Sequence, residues 1–234
     1  MKRTIPIIFL IFAALSLVLM SCGNGEEDTA EQEAPAETEK TMEAGEADYT
    51  DGFYFNQASG FDDNGWKNVV TLEVENGQII SADFESVNRE DGPTKTQRSE
   101  DGTYGMVANS DATVAWYEQI ADAEQHLLDN QVPMALSFDD EGKTDAISGV
   151  SITVEPFFSL AHEALTGEPT GRVPYEDGSY SAEADSFSNG WKSTVDITVF
   201  GGYIVAAYWD AIPEEGGMNK REASLEGEYG MVEN

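Results

Sequence analysis

Three hydroxyl side chains crowd into one short segment of the sequence. Positions 145–153 read DAISGVSIT, so that Ser148, Ser151 and Thr153 lie within a few residues of Gly149. Hydroxyl groups hydrogen-bond to phosphate oxygens, and a glycine lets another group come close to the backbone. The chemistry that these residues suggest is the binding of a phosphate or another anion.

The segment leads into a predicted helix, which strengthens that suggestion. Pro156 suits the first turn of a helix, and Gly167 follows the last apolar position of the pattern. Unpaired N–H groups and the positive dipole end of a helix both favour a phosphate at this point. A serine-rich cap leading into a helix explains the same residues without any ligand, and the residues alone favour that simpler explanation.

A hairpin is predicted well before this loop. Apolar and polar residues alternate from Val70 to Val74, Asn76-Gly77 follows, and Ile79 to Phe84 returns. Alternation on both sides of Asn-Gly is typical of two antiparallel strands joined by a tight turn.

A helix and a second hairpin are predicted between the first hairpin and the loop. Helical spacing of apolar residues predicts a helix from Ser110 to Leu128, with Ser110 as its N-cap. Strands are predicted at Pro133–Phe138 and Lys143–Ile147, joined by a turn at Asp139–Gly142. The second strand would deliver the chain directly into the hydroxyl-rich loop.

Three short patterns recur later in the chain in the same order. DGFY at position 51 returns as DGSY at 177, NGWK at 64 returns at 189, and YGMV at 104 returns at 229. The first offset is 126 residues and the other two are 125, which indicates a duplicated domain. Positions 195–199 and 204–209 repeat the first hairpin around Gly201-Gly202.

The predicted fold class is α+β, an antiparallel sheet with appended helices, duplicated in tandem with an incomplete second copy. The first domain is placed at 49–168, a linker at 169–174 and the second copy at 175–234. The second copy contains no counterpart of the loop at 145–153, so it is predicted to carry no ligand of that kind.

The N-terminal residues predict export and anchoring. Lys2 and Arg3 precede an apolar run from Ile5 to Met20, which is typical of a signal peptide spanning residues 1–21. The run ends in LMSC, and Cys22 is the only cysteine of the chain. This resembles the bacterial lipobox, in which the cysteine becomes the lipidated N-terminus; the alternative is an ordinary signal peptide followed by an unrelated cysteine. Residues 22–48 are acidic and lack aromatic residues, which predicts a disordered tether.

The charge of the chain limits its partners. The 234 residues contain 45 acidic and 12 basic side chains, a formal net charge of −33, which excludes nucleic acid as a partner. The charge is −7 over residues 1–48, −17 over 49–173 and −9 over 174–234. Because this density is even, it describes a solvated surface outside the cell and indicates neither an acidic tail nor an acidic site.

The segment at 145–153 resembles the flavinylation motif of FMN-binding domains, Asp-x-x-Ser/Thr-Gly-Ala-Ser/Thr-x-Ser/Thr. Such domains occur in the C subunit of the sodium-pumping NADH:quinone oxidoreductase, in the G subunit of Rnf complexes, and in tandem in surface lipoproteins of extracellular electron transfer. The Gly-Trp hairpin, the Tyr-Gly-Met pattern, the lipobox and the tandem arrangement resemble the last group most closely.

The resemblance implies a covalently bound cofactor. In the family a flavin transferase uses FAD to attach FMN as a phosphoester to the motif hydroxyl, which here is Ser151, with Thr153 as the alternative acceptor. Asp145 is implied to position the loop during transfer, and Ser148 and Gly149 complete the motif. The implied protein is a lipid-anchored flavoprotein on the extracytoplasmic face of the membrane. It would carry electrons from a quinone-linked donor to extracellular acceptors, as a carrier without catalytic residues of its own.

The chain departs from the motif at one bulky position. Val150 stands where the family usually has alanine, and we expect its bulk to face the approaching transferase. Tyr104 and Met106 are possible contacts of the flavin ring, but packing is the preferred role for both. Trp66 is expected to anchor the hairpin core.

No metal site is predicted. His126 and His162 are interpreted as surface residues, and the acidic pairs at 62–63 and 139–140 as solvated turns. The competing function is a non-redox surface lipoprotein, a binding or adhesion module that keeps the fold without the flavin.

Overall fold

The computed structural model describes residues 48–90 and 92–230. The predicted signal peptide, Cys22 and the tether up to residue 47 lie outside the described residues. Within the described ranges no helix is both long and apolar enough to cross a bilayer.

The predicted α+β class with a repeated antiparallel sheet is confirmed. The strands and helices are, in chain order, β1 (Gly52–Gln57), β2 (Trp66–Glu75), β3 (Gln78–Asn88), α1 (Lys95–Glu100), α2 (Met106–Asn109), α3 (Trp116–Asn130), α4 (Glu155–Thr166), β4 (Gly178–Glu183), β5 (Trp191–Phe200), β6 (Tyr203–Pro213) and α5 (Lys220–Leu225). The sheets have the orders β1-β2-β3 and β4-β5-β6, with every neighbouring pair antiparallel.

The first hairpin forms as predicted. Asn76 and Gly77 both have positive φ, +53° and +77°, which matches the right-handed twist of the two strands. In the register of β2 and β3, Val70 lies opposite Phe84 and Leu72 opposite Ala82. The alternating residues therefore point to one face of the sheet, which becomes the core face.

Helices α3 and α4 cover that face. Their apolar stripes pack with the strand residues into the main core, in which Tyr54, Leu72, Leu127, Phe157 and Phe158 are at most 1% exposed. Helix α4 begins and ends as predicted, with Pro156 in its first turn and Gly167 at its C-cap.

The predicted N-terminus of the long helix is wrong. Helix α3 begins at Trp116 after the N-cap Ala115, whose N–H donates to the Glu118 carboxylate at 3.0 Å. Ser110 instead follows the short helix α2, and its hydroxyl donates to the Met106 carbonyl. A serine near an apolar pattern suits the end of one helix as well as the start of the next, which explains the error.

The predicted strands at Pro133–Phe138 and Lys143–Ile147 are also wrong. Pro133–Ala135 form one 3₁₀ turn, and the remaining residues of both segments are irregular. Only the turn between them is formed, with the Asp139 N–H donating to the Lys143 carbonyl at 2.9 Å. Side chains occupy the outer edge of β3 instead, since the Ile79 N–H donates to Gln131 Oε1 and the Phe84 N–H donates to Glu124 Oε1.

The second copy reproduces the sheet but leaves its matching face open in the described residues. Strand residues that correspond to the core face of the first copy are exposed, namely Tyr180, Val195, Ile204 and Trp209. Helix α5 repeats α1, including a capping box in which Asn219 takes the place of Thr94.

The two sheets pack through their other faces. Val69 and Val87 of the first sheet and Val205 and Ala206 of the second form a small buried cluster. At its edge Phe55 stacks on Tyr203 with ring centroids 4.1 Å apart. The predicted linker is ordered here, because the Thr170 N–H donates to the Phe53 carbonyl at 2.9 Å.

This interface explains why the second hairpin turn is Gly-Gly. Gly201 has φ +61°, and a Cβ at this position would overlap Thr71 Cγ2 of the first sheet. We expect Gly201→Ala to lower the free energy of unfolding by about 3 kcal/mol, from left-handed strain together with overpacking. Urea denaturation measures the change. Gly216→Ala is the control, since Gly216 has φ +76° and open space around it. Equal losses in the two variants would contradict a close approach of the sheets.

Candidate functional site

The hydroxyl-rich loop lies between two clefts. Ser151 is exposed and lines both of them. We name the first the aromatic cleft; it measures about 610 Å³, and its lining includes Lys95, Tyr104, Met106, Trp116, Ser151 and Thr153. The second, the polar cleft, measures about 820 Å³, and its lining includes Phe138, Asp139, Thr144, Asp145, Val150 and Ser151.

A buried glutamine of α3 holds the loop at Ser151. Gln119 is 1% exposed, and its Oε1 accepts the N–H groups of Ser151 at 2.7 Å and Ile152 at 3.2 Å. The Ser151 hydroxyl lies 3.3 Å from the same oxygen. Gln119 Nε2 donates to the Val114 carbonyl at 2.9 Å, which fixes the orientation of the amide. The loop is therefore tied to the helix at the residue whose hydroxyl faces the clefts.

The loop's apolar residues are anchors. Ile147 is 7% exposed and Val150 is 9% exposed, and both belong to the main core. The expectation that the bulk of Val150 faces an approaching enzyme is therefore wrong, because most of its side chain is buried. Gly149 has φ +87°, and a Cβ there would meet only ordinary contact with Asp122. Glycine is therefore favoured at position 149 by the positive φ of the backbone, and the space around it would accept a Cβ.

The predicted anion site at the start of α4 is not formed by free N–H groups. The N–H groups of Val154 and Glu155 both donate to the Gly142 carbonyl, at 2.9 and 3.0 Å. Pro156 has no N–H, and Glu155 places a carboxylate in the first turn. The turn at 139–142 therefore caps this helix and occupies the donors that a phosphate would need.

The other loop residues differ in how free their side chains are. The Thr153 hydroxyl donates to the Glu141 carbonyl at 2.9 Å, so it is already engaged. Ser148 and Asp145 are exposed, and neither side chain has a hydrogen-bond partner among the described residues. Asp145 lines the polar cleft only. The structure thus brings Ser151 and Thr153 to the aromatic cleft and leaves Ser148 outside both clefts.

Three aromatic rings surround Lys95, and two of them, Tyr104 and Trp116, line the aromatic cleft. Lys95 Nζ lies 4.9 Å from the ring centroid of Trp66, 5.4 Å from that of Tyr104 and 5.3 Å from that of Trp116. Burial lowers the pKa of Lys95, although the charges of Asp62 and Glu85 act in the opposite direction. Such a cation is held by the ring faces.

The packing role preferred for Tyr104 and Met106 agrees with their positions beside the main core. Tyr104 and Met106 are half-buried, packed at the margin of the core, and also line the cleft. Trp66 stands edge-on to Tyr104 with centroids 6.3 Å apart. His126 is half-buried and stands edge-on to Phe158, and His162 is exposed.

The sequence analysis did not identify three residues that the structure places at the site, namely Lys95, Gln119 and Trp116. Lys95 and Lys220 are 125 residues apart, the same offset as two of the repeated patterns, so a fuller comparison of the copies would have found Lys95. Gln119 interrupts the buried stripe of α3, and a polar residue in such a stripe indicates a buried hydrogen bond. Trp116 lay inside the predicted helix without an assigned role.

Comparisons with known proteins give structural similarity without an activity. No family model and no curated protein matches the chain. It is similar to a protein from Clostridium thermocellum solved by NMR, with 42% identity over 50% of this chain and 90% of that chain, and a TM-score of 0.39. It is also similar to a protein from Clostridium perfringens solved by crystallography, with 23% identity, 50% and 87% coverage, and a TM-score of 0.40.

The arrangement itself suits a flat aromatic phosphate ester. The cleft is lined by an exposed hydroxyl, aromatic and thioether side chains and a half-buried cation, which matches the usual make-up of small-molecule sites. In the described part of the chain, no three His, Cys, Asp or Glu side chains come together as a metal site.

Proposed function

We propose that this protein is a membrane-anchored extracytoplasmic flavoprotein that carries FMN covalently on Ser151. It would take electrons from a quinone-linked donor in the membrane and pass them to extracellular acceptors. The observation that carries the proposal is the position of Ser151, exposed at the mouth of the aromatic cleft and held there by Gln119. The anchor rests on the resemblance of Cys22 to a lipobox cysteine.

The aromatic cleft fits the cofactor. Its volume of about 610 Å³ lies within the range of small-molecule sites, about 300–1,000 Å³. Trp116, Tyr104 and Met106 offer the apolar surface that a flavin ring requires, and Lys95 offers a positive charge. The polar cleft lacks such a wall, because Phe138 is the single aromatic residue among those that line it.

The attachment reaction needs only a nucleophilic hydroxyl from this chain. Ser151 Oγ forms a bond to the FMN phosphorus of FAD, the pyrophosphate bond breaks, and AMP leaves. The hydroxyl proton passes to a base on the flavin transferase. The role of this chain is therefore to hold Ser151 exposed at a fixed position, which Gln119 does through the Ser151 N–H.

Ser151 is a better acceptor than Thr153. The Thr153 hydroxyl donates to the Glu141 carbonyl, and its methyl group lies against the turn at Gly142. Reaction there would break that hydrogen bond and move the turn that caps α4. Ser151 has a longer contact of 3.3 Å to Gln119, which is a weaker restraint.

The covalent bond suits a carrier outside the cell. The N-terminal donors of α4 are already satisfied by Gly142, so a phosphate would find little non-covalent retention there. A phosphoester retains the cofactor without such contacts. When bound, FMN would supply the one- and two-electron chemistry, and the lining residues Tyr104, Met106 and Trp116 would hold its ring.

Ser151→Ala is expected to abolish the adduct. The full chain is co-expressed with a flavin transferase, and its intact mass and absorbance are measured. The wild-type protein should gain the mass of FMN less water, whereas Ser151→Ala should gain none because the only well-placed hydroxyl is lost. Ser148→Ala is the matched control, since Ser148 lies in the same loop outside both clefts, and it should be fully labelled.

Two results would change the proposal. An adduct that survives Ser151→Ala and disappears in Thr153→Ala would move the acceptor and leave the function standing. A wild-type protein without adduct or yellow colour would overturn the carrier and favour the binding or adhesion module.

A further inference from the structure

A lysine enclosed by aromatic rings occurs in both copies of the repeat. Lys220 Nζ lies 5.3 Å from the centroid of Trp191 and 5.1 Å from that of Tyr229. These residues stand 125 positions after Lys95, Trp66 and Tyr104. The shared lysine therefore belongs to the structure of the repeat, where it holds the start of a short helix against the first long strand of the hairpin.

Only the first copy places this lysine beside a ligand site. Trp116 adds a third ring over Lys95, and the same cleft contains Ser151. Neither Trp116 nor Ser151 has a counterpart among the described residues of the second copy. Within the described residues, the same structural unit is thus combined with a cleft and an exposed hydroxyl in the first copy.

Lys95 is also the cation of this cleft that forms no direct ion pair in the described residues, although the charges of Asp62 and Glu85 act on it from a distance. The other lysine in the lining, Lys143, pairs with Glu141 at 2.7 Å and is exposed. Lys95 forms no ion pair with any described carboxylate. The acid of the lining, Asp111, is exposed, where water and salt screen its charge. A negative charge that develops in the cleft would therefore interact mainly with Lys95.

We propose that Lys95 raises the reduction potential of the flavin on Ser151 by compensating the negative charge that reduction adds to the ring. The inference rests on the proposed function. A membrane quinol gives two electrons and two protons; both electrons and one proton go to the ring, and the second proton goes to water. The ring thus gains one net negative charge, and a cation near it stabilises the reduced form.

The test compares two matched lysine variants of the full flavinylated chain. Lys95→Met and Lys220→Met each remove one cation from between a tryptophan and a tyrosine, but only the first lies beside the cofactor. The midpoint potential is measured by spectroscopic titration, and its pH dependence is followed as a second readout. We expect Lys95→Met to lower the equilibrium constant of reduction about tenfold, a shift of about 30 mV for a two-electron couple. Lys220→Met should have the wild-type potential.

Further variants separate charge from shape. Lys95→Arg keeps the charge and is expected to keep the wild-type potential. Lys95→Gln provides a second neutral side chain with a polar end if Lys95→Met fails to fold, and it should show the same lowered potential. In both neutral variants, protonation of the reduced ring should also occur at higher pH than in the wild type.

The outcomes separate the inference from the proposed function. A normal adduct with equal potentials in all variants would overturn the role of Lys95 and leave the carrier standing. Equal shifts in Lys95→Met and Lys220→Met would also overturn it, because a structural effect common to both copies would then be sufficient. Absence of any adduct on the wild type would overturn both proposals together.

Discussion

Replacing Gln119 by leucine is expected to slow flavin attachment to Ser151 at least about tenfold, because misplacement of a reacting group by about 1 Å is enough for such a loss. The same change should lower the free energy of unfolding by about 3 kcal/mol. Gln119 is 1% exposed, and it satisfies the Ser151 and Ile152 N–H groups and the Val114 carbonyl at once. Leucine has a similar size but leaves all three groups without their partner.

The experiment separates loop positioning from general damage to α3. The initial rate of adduct formation is measured by mass spectrometry with purified transferase, and stability is measured by urea denaturation. Gln125→Leu is the control, because Gln125 lies exposed on the same helix and bonds only to Asp129. It should leave both quantities nearly unchanged. Equal attachment rates in the two variants would show that the loop needs no anchor at Ser151.

The sequence was sufficient for features that depend on local signals. The hairpin around Asn76-Gly77 and the boundaries of α4 at Pro156 and Gly167 follow from turn and cap chemistry within a few residues. The duplication was visible because the recurring patterns contain tryptophan, tyrosine and glycine, which rarely coincide by chance. These parts of the fold were therefore predictable without any tertiary information.

The predictions from sequence failed where contacts between distant segments determine the local structure. The segment at 133–147 has strand-like composition, but it forms a 3₁₀ turn and loop. The side chains of Gln131 and Glu124 already accept the N–H groups of Ile79 and Phe84 on the edge strand β3. The anion site before α4 looked favourable because the sequence does not reveal that the Gly142 carbonyl already accepts its donors. Val150 looked like a surface obstacle because loop residues of unknown direction are easily taken to be exposed.

The candidate site was predictable only in part. Its hydroxyl loop is contiguous, so the motif at 145–153 identifies it. The cleft beside it is assembled from α1, the segment before α2, and α3, which are separated from the loop by up to about fifty residues. No local pattern joins Lys95, Tyr104 and Trp116 to Ser151, and their meeting is a property of the folded chain.

Buried acids should make the protein less stable as the pH rises. Glu124 on α3 accepts the Phe84 N–H at 2.7 Å, and burial raises its pKa from 4.5 to about 8, with the charges of Asp83 and Glu85 adding to the effect. Burial raises the pKa of Glu85 as well. The folded protein therefore binds protons that the unfolded chain has released, so the free energy of unfolding falls between about pH 4.5 and pH 8.

Glu124→Gln is expected to remove most of this loss. Glutamine keeps an oxygen for the Phe84 N–H but carries no charge. The variant should therefore match the wild type below about pH 4, where Glu124 is mostly protonated in both the folded and the unfolded protein. Above pH 8 the variant should be more stable than the wild type by about 3 kcal/mol. This is less than the free energy equivalent to the full pKa shift, because local relaxation and water relieve part of the cost of burying the carboxylate. Urea denaturation across this pH range measures the difference.

The high net charge requires a control for this prediction. A chain of charge −33 repels itself increasingly as its carboxyl groups ionise, so removal of any acid stabilises it slightly at high pH. Asp122→Asn removes one charge from the exposed side of the same helix and measures that general effect, which should stay below about 0.5 kcal/mol. If the two variants gained the same stability, the penalty would belong to the overall charge, and burial of the Glu124 carboxylate would not be its source.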